Sequence, residues 1–412
     1  MRETLLAMLR CPFCGSRLTV VENQALERAH GRIESGVLGC DCCAFPVVAG
    51  IPVLIADDTT REAMHQLEAD RQEEALLTLL GLDEARGISF RSLMQRRRPT
   101  YRDALAILSL DAEADCFLYR FSDPTFLMVE ALLTGLGQSG GVDSRPVLDV
   151  CGGSGHLTRV LANLEPAGGV IDADVYFWKL WMARRFTSPL SGAVCCDANN
   201  PLPFARDAFS LAVLADAFPY IWHKRLLAEE MMRVVGSRGV IVLPHLHSSL
   251  GENVSAGMTL TPAGYASLFE PRAPRLFSDE YLFEDVLNHR TVDLTRSASP
   301  AEIGTEPSFT LVASGREELF QKYVVSEPPE IRGELKVNPL YRVDRQGDSS
   351  VLTLTFPTPE YEEEFGACKQ YLPSTVTVPG DLTGPIVPGA LGPQYDELRR
   401  RRVIIDVPPQ YC

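Results

Sequence analysis

Apolar and polar positions recur along the chain in three rhythms, and each marks a different kind of element. Up to about residue 57 the apolar stretches are short (LTVV, GVLGC and PVVAGIPVLI) and read as strands. From about 58 to 140 the period becomes helical. An acidic stretch, REAMHQLEADRQEEALLTLL, is followed by a basic knot, QRRRPTYR, and an apolar helix around PTFLMVEALLTGL, before Gly and Ser close the segment in GQSGGVDSR. Between about 141 and 320 short apolar strands alternate with helical periods, the pattern of a parallel sheet with crossover helices. Pro146-Val-Leu-Asp-Val150 is the first such strand, and the helix behind it carries Leu157, Val160, Leu161 and Leu164 on one face. Further on, Asp207-Ala-Phe-Ser-Leu-Ala-Val-Leu and GVIVLPHLH flank a helix with Leu227, Met231, Val234 and Val235 on one face. Residues 321–412 hold 12 of the 29 prolines and one hairpin signal, YRVDRQGDSSVLTLTF. The organisation expected is four pieces: 1–57, 58–140, 141–320 and 321–412.

Composition adds limits. The chain has 412 residues, 45% of them apolar and 23% charged, which are ordinary globular values. With 39 Lys+Arg against 54 Asp+Glu the formal net charge is −15, which disfavours nonspecific nucleic-acid or anionic-membrane partners without excluding nucleic acid. No apolar run reaches the roughly 18–20 residues of a membrane-spanning helix, and MRETLLAMLR is too charged and short for a signal peptide. The expectation is a cytoplasmic protein with no membrane partner.

The 11 cysteines cluster rather than spread: Cys11, Cys14, Cys40, Cys42 and Cys43 all lie near the start. Cys11-Pro-Phe-Cys14-Gly15 is a knuckle of two thiols in a tight turn, and two such knuckles supply the soft tetrahedron that zinc prefers. Cys40 with Cys43 repeats the two-residue gap, and Cys42 is the alternative fourth ligand through a tighter turn. The predicted ligands are Cys11, Cys14, Cys40 and Cys43, around a structural Zn2+ that folds this piece without catalysing anything. LRCPFCGSRL followed by GVLGCDCCAFPVVAGIPVLI resembles the small zinc-ribbon proteins that activate tRNA and protein methyltransferases, with the second knuckle compressed.

Pro146–Val150 runs straight into Cys151-Gly-Gly-Ser-Gly155 and then a helix, the first unit of a nucleotide-binding α/β sheet. The loop has no Lys for a P-loop, and Thr158 spoils the dinucleotide pattern. It resembles Asp-x-Gly-x-Gly-x-Gly, the first motif of class I S-adenosylmethionine (AdoMet)-dependent methyltransferases, with Cys151 in place of the first glycine. The resemblance implies a Rossmann-like sheet of seven strands, with AdoMet held by Asp149, Cys151, Gly152, Gly153 and Gly155. It gives the ribose hydroxyls to Asp172 beside Ala173, and the adenine amino group to Asp197 between Cys196 and Ala198. It also implies that TVDL and FTLVAS, after a helix at about 279–288, are the antiparallel sixth and seventh strands.

Methyl transfer is an in-line displacement, and an oxygen or nitrogen nucleophile can also need a base. The candidates follow the fourth and fifth strands: Asp216, Tyr220, His223, His245 and His247. His245 and His247 sit two apart and face one side of an extended segment, although a structural role is the commoner one for any single histidine. Asp216-Ala-Phe-Pro-Tyr220 resembles the Asn/Asp-Pro-Pro-Tyr motif of amino-group methyltransferases with one residue more. The Phe117–Phe121 segment and residues 255–269 are candidate walls of an acceptor pocket. The expected partner is a small-molecule acceptor methylated on O, N or C, as in secondary-metabolite biosynthesis. An RNA methyltransferase, using Arg96–Arg98 and Arg399–Arg402 on phosphates, and a non-catalytic AdoMet-fold scaffold are the alternatives. The tail leaves two roles open, capping the pocket or building a homodimer.

Overall fold

The strands with unbroken apolar character become the centre of a sheet buried on both faces, as parallel sheets require. The computed structural model describes the chain apart from residues 110–112, 253–254, 326–330, 381, 383, 385 and 387–393, so Pro328, Pro329, Pro385, Pro388 and Pro393 of the proline-rich tail lie outside the described residues.

The chain begins with helix α1 (Glu3–Met8) and five short strands: β1 (Thr19–Val21), β2 (Glu27–Ala29), β3 (Arg32–Gly39), β4 (Ala44–Val48) and β5 (Ile51–Pro52). Six helices follow, α2 (Asp58–Glu68), α3 (Gln72–Leu79), α4 (Glu84–Met94), α5 (Tyr101–Leu108), α6 (Glu113–Tyr119) and α7 (Pro124–Gln138). Asp57, Asp83, Thr100 and Asp123 each cap one of these helices through a side-chain oxygen, which explains where the helices start.

The main sheet is built from β6 (Val147–Val150), β7 (Val170–Asp174), β8 (Gly192–Cys195), β9 (Leu211–Val213), β10 (Val240–His247), β11 (Pro274–Ser278) and β13 (Ser308–Ala313). Its order is β11-β13-β10-β9-β6-β7-β8, with β13 antiparallel to both neighbours and the other pairs parallel. Alternate residues of each strand feed two apolar layers. Val147, Val170, Leu211 and Val240 face a layer with α8 (His156–Asn163), α9 (Phe177–Met182), α12 (Asp279–Glu284) and the helices before the sheet. Leu148, Ile171, Ala212 and Ile241 face α1, the first strands, α10 (Lys224–Val235), α11 (Pro262–Leu268) and α13 (Pro300–Ile303).

One expected strand is displaced. TVDL does not enter the main sheet: β12 (Thr291–Asp293) pairs with β14 (Lys322–Val324) in a separate ribbon. The sixth strand of the sheet is β11, in register with β13 from Pro274↔Ala313 to Ser278↔Phe309, and the helix at 279 follows it instead of preceding it. Its Pro-Arg start conceals a buried Leu276-Phe277-Ser278 end from any apolar-run reading.

The remaining elements are β15 (Glu334–Val337), β16 (Tyr341–Gln346), β17 (Ser349–Leu354), α14 (Pro359–Phe365), β18 (Thr375–Pro379), α15 (Tyr395–Arg400) and β19 (Ile404–Val407). β16 and β17 form the hairpin expected from YRVDRQGDSSVLTLTF, turning at Gly347 with φ 60°, and β18 adds a third strand.

The first strands sit on the open β8 edge. Val53 bridges Cys195 in parallel sense, the Leu54 amide donates to the Cys195 carbonyl at 2.7 Å, and Leu9 pairs with Phe204. Leu9 and Phe204 are fully buried. At about 1.5–3 kcal/mol per buried side chain, against about 1 kcal/mol net per hydrogen bond, apolar burial holds this contact and the backbone bonds set its register. At the other end of the chain, Tyr411 stacks on Tyr101 with ring centroids 4.7 Å apart and bonds His156 Nε2 at 2.7 Å. Tyr101 in turn bonds Ser154 Oγ at 2.8 Å. Tyr411→Phe leaves His156 Nε2 buried without that bond and should lower stability by about 1–3 kcal/mol in a denaturant titration.

Candidate functional site

The turn from β6 into α8 needs an unusual backbone. Cys151 takes φ 56°, Gly153 61° and Gly155 82°, so the loop is left-handed at Cys151, where the resembling motif has glycine. Gly155 admits no side chain, because a Cβ there would lie 2.7 Å from Ala183 Cβ. The loop borders a cleft of ≈ 610 Å³ at the carboxyl ends of the parallel strands, where ligands of open α/β sheets sit.

Three carboxylates are stacked beneath this loop, and their depth sorts their chemistry. Asp149 is buried, and its Oδ2 accepts from the Thr158 hydroxyl at 2.7 Å. Asp172 lies beside it: a Cβ on Gly152 would be 2.5 Å from Asp172 Oδ1 and 2.7 Å from Asp149 Oδ2. Both Asp172 oxygens are buried without a hydrogen bond. Asp174, the last residue of β7, lines the cleft, where its Oδ2 accepts from the Gly153 amide at 3.0 Å and its Oδ1 from the Tyr176 amide at 2.8 Å. The strand-end acid at the cleft is therefore Asp174, a correction to the expectation of Asp172. Asp172 and Asp174 share one face of β7, but Asp172 is one pleat deeper and covered by the loop, and neither it nor Ala173 lines the cleft. Burial raises all three carboxyls. Asp149 is lifted to about 7, with the charge of Asp174 adding and the Thr158 bond opposing. Asp172 is raised well above the usual range by burial and then by the charges of Asp149 and Asp174.

Asp197 and Ala198 line the next wall of the cleft, while Cys196 is buried behind them with its amide donating to the Asp174 carbonyl. Asp197 Oδ1 accepts from the Asn199 amide at 2.8 Å. Over the loop lies α6, whose Phe117 ring would be 3.6 Å from a Cβ on Gly153. Lys179, which nothing in the sequence marked, also lines the cleft. Its Nζ bonds Glu113 at 2.5 Å and lies over the rings of Phe117, Tyr176 and Trp178.

At the other end of the cleft the candidate catalytic residues separate. Asp216 and Tyr220 line it. His247 Nε2 lies 3.0 Å from Asp216 Oδ1, and the His245 and His247 rings meet at 4.9 Å. A bulge between Leu243 and Leu246, with His245 at φ 56°, turns the β10 end toward Asp216, itself at φ 60°. Asp279, not foreseen because it arrives from α12, accepts from His245 Nδ1 at 3.0 Å and from the Thr310 hydroxyl at 2.7 Å. Burial opposes charge on His245, but Asp279, Asp216 and Asp123 outweigh it and raise the ring to about 9. His223 stands apart: its Nδ1 bonds the Asn199 carbonyl at 2.8 Å, outside the cleft lining.

Near the start of the chain, sulfurs of Cys11, Cys14, Cys40 and Cys42 lie within 4.8 Å of one another. The separations of 3.9 Å for Cys11–Cys42, 3.7 Å for Cys14–Cys40 and 3.6 Å for Cys40–Cys42 match the ~3.8 Å edge of a tetrahedron with 2.3 Å metal–sulfur bonds. The fourth member is Cys42 and not the expected Cys43. Cys43 Sγ lies 3.4 Å from Cys42 Sγ but outside the group of four, and the Cys43 carbonyl accepts from the Cys40 amide.

Within the arginine runs considered for phosphate contacts, Arg400 and Arg401 pair with Glu397, Arg402 with Glu130, and Arg96 with Asp103. Among the described residues no helix is long and apolar enough to cross a membrane.

The strand order is that of the class I AdoMet-dependent methyltransferase fold. No family model matches the chain. Over 162 residues it is 27% identical to the ubiquinone/menaquinone biosynthesis C-methyltransferase UbiE of Pseudomonas savastanoi pv. phaseolicola, covering 37% of this chain. The same figures hold for UbiE of Pseudomonas syringae pv. syringae, and the chain spans 61% of the length of these relatives. Among solved structures, an AdoMet-dependent methyltransferase of Aquifex aeolicus is 15% identical at a TM-score of 0.34, over 50% of this chain and 98% of that one. YcgJ of Bacillus subtilis is 14% identical at 0.30, over 47% and 98%.

The stacked acids make pH a probe of the loop. Unfolded, Asp149 and Asp172 lose their protons in the ordinary carboxylate range, whereas folded Asp149 holds its proton to about 7 and Asp172 beyond the usual range. Between those values the folded state binds more protons, so stability falls as pH rises. Asp172→Asn should raise the melting temperature at about pH 8, with the gain shrinking toward about pH 4, as a thermal-melt series across pH would record.

Proposed function

We propose that this chain is an AdoMet-dependent methyltransferase acting on a small-molecule acceptor. The observation that carries the reading is the glycine loop after β6 set beside two acid-tipped strand ends, Asp174 on β7 and Asp197 after β8, along one cleft. In this reading Asp174 accepts the ribose hydroxyls, Asp197 meets the adenine amino group, and the Cys151–Gly155 backbone approaches the cofactor where a Cβ would collide. Asp149 then acts from beneath, through Thr158, as a positioning residue. The partial identity to UbiE supports the same reaction class.

When bound, AdoMet supplies an electrophilic methyl on a sulfonium. The chain's part is to align the acceptor with that carbon and to exclude water. In this reading Asp216, with His247 bonded to it, and Tyr220 border the acceptor end of the cleft. Tyr176, Tyr220 and Trp222, exposed at 54%, 56% and 76%, surround the mouth and suit a planar or apolar acceptor. The formal net charge of −15 disfavours RNA. None of the eleven cysteines is in a disulfide, which suits the reducing cytoplasm.

The four sulfurs of Cys11, Cys14, Cys40 and Cys42 would hold a structural zinc that fixes the small β domain against the β8 edge. Zinc measured in the purified chain should fall by one equivalent in Cys42→Ser and stay unchanged in Cys43→Ser.

Removing a carboxylate that bonds two hydroxyls costs about 1.5–3 kcal/mol, or about 10–100-fold in affinity. Asp174→Asn should therefore weaken AdoMet by that factor in isothermal titration, while Asp172→Asn stays close to wild type. Equal losses in both would overturn the assignment.

A further inference from the structure

The cluster at the acceptor end has more nitrogen and oxygen donors than proton transfer requires. Asp216, His245 and His247 each present a donor within 4.8 Å of the others. The 3.0 Å from His247 Nε2 to Asp216 Oδ1 is the separation of adjacent ligands about 2.1 Å from one ion, roughly 3.0–3.4 Å. His245 is oriented as a metal-binding imidazole is: Asp279 fixes its Nδ1 at 3.0 Å, and Thr310 fixes Asp279, leaving Nε2 free. His247 Nδ1 is buried with no hydrogen-bond partner, so Nε2, the nitrogen toward Asp216, is the one the protein engages. Two of the three donors, Asp216 and His245, also sit on left-handed backbone, a strain that persists where a site needs it. The surroundings favour a cation. Asp123 and Glu364 lie within electrostatic reach of the cluster, and the nearby guanidinium of Arg120 is held by Asp123 at 2.8 Å.

We propose that Asp216, His245 and His247 form a mononuclear site for a divalent transition metal, whose open positions take an ionisable oxygen of the acceptor. Two imidazoles and one carboxylate suit Fe, Mn, Co or Zn better than Mg or Ca. Three protein ligands leave room for substrate, unlike the closed four-sulfur group. Of the three donors, Asp216 lines the cleft.

The role of the site rests on the methyltransferase reading. The metal lowers the pKa of the bound hydroxyl, whose proton passes to water. An oxygen lone pair then forms the O–C bond to the methyl as the S–C bond breaks, and that electron pair returns to sulfur to leave a neutral thioether.

The test uses the full-length chain with its zinc in place. Metal analysis, followed by Co2+ titration read in the visible spectrum, should find one ion per chain beyond the sulfur-bound one, without a thiolate charge-transfer band. His245→Gln and His247→Gln should lose it. Asp279→Asn, outside the ligand set, should weaken it about 10–100-fold, and Cys42→Ser should leave it in place, with thermal melts confirming that each variant folds. A wild-type chain that carries no second metal and binds no Co2+ overturns the proposal, as do variants that bind like wild type. AdoMet titration on the same samples separates the two readings. Metal without AdoMet sustains the site and removes the methyltransferase reading, whereas AdoMet without metal removes the site.

Discussion

The carboxylate of Asp174 holds the cleft together. By accepting from the amides of Gly153 and Tyr176 it joins the loop after β6 to the turn after β7, and so sets the angle between two walls of the cleft. It does this in a buried setting, where hydrogen bonds are strong and unpaired charge is costly. The loop it secures covers Asp172, which is why that acid lies out of reach of a ligand although it shares the sheet, while Asp149 reaches the cleft lining from beneath. With the loop placed, α6 can lay Phe117 over it, and Lys179 can close the side against Glu113.

The additions around the sheet serve that arrangement from several sides. The cysteine-rich piece covers the β8 edge, which would otherwise expose unpaired backbone. Tyr101 and Tyr411, separated by most of the chain, stack together and bond Ser154 and His156 at the two sides of Gly155. Arg159 of α8 is tied to Asp406 of β19 at 2.8 Å. The proline-rich tail thus reaches the glycine loop from behind, while its α14 brings Tyr361 to Tyr119, with ring centroids 5.6 Å apart. At the far end a bulge in β10 and a left-handed residue after β9 gather Asp216, His245 and His247 into one cluster.

What the sequence made legible was local. Val147–Val150, the glycines and the period of α8 specify strand, turn and helix within a few residues, and their contacts depend little on the rest of the chain. Asp172 and Asp174 were harder to separate, because they share a strand face and differ only in depth, which the loop decides. Cys42 and Cys43 are neighbours in one short turn, and only the folded turn decides which sulfur joins the other three. Asp279, Lys179 and Tyr411 reach the site through long-range packing, and no periodicity signals such an approach. The sixth strand escaped because Pro274 and Arg275 break its apolar run, leaving its register with β13 as the only sign of it.

The central claim is that one cleft binds the cofactor of a methyltransferase. Isothermal titration of the intact chain with AdoMet and its demethylated product tests it most directly. One site per chain is expected for both ligands, with each displacing the other. Absence of binding at high micromolar concentration of a folded, zinc-loaded sample would contradict it.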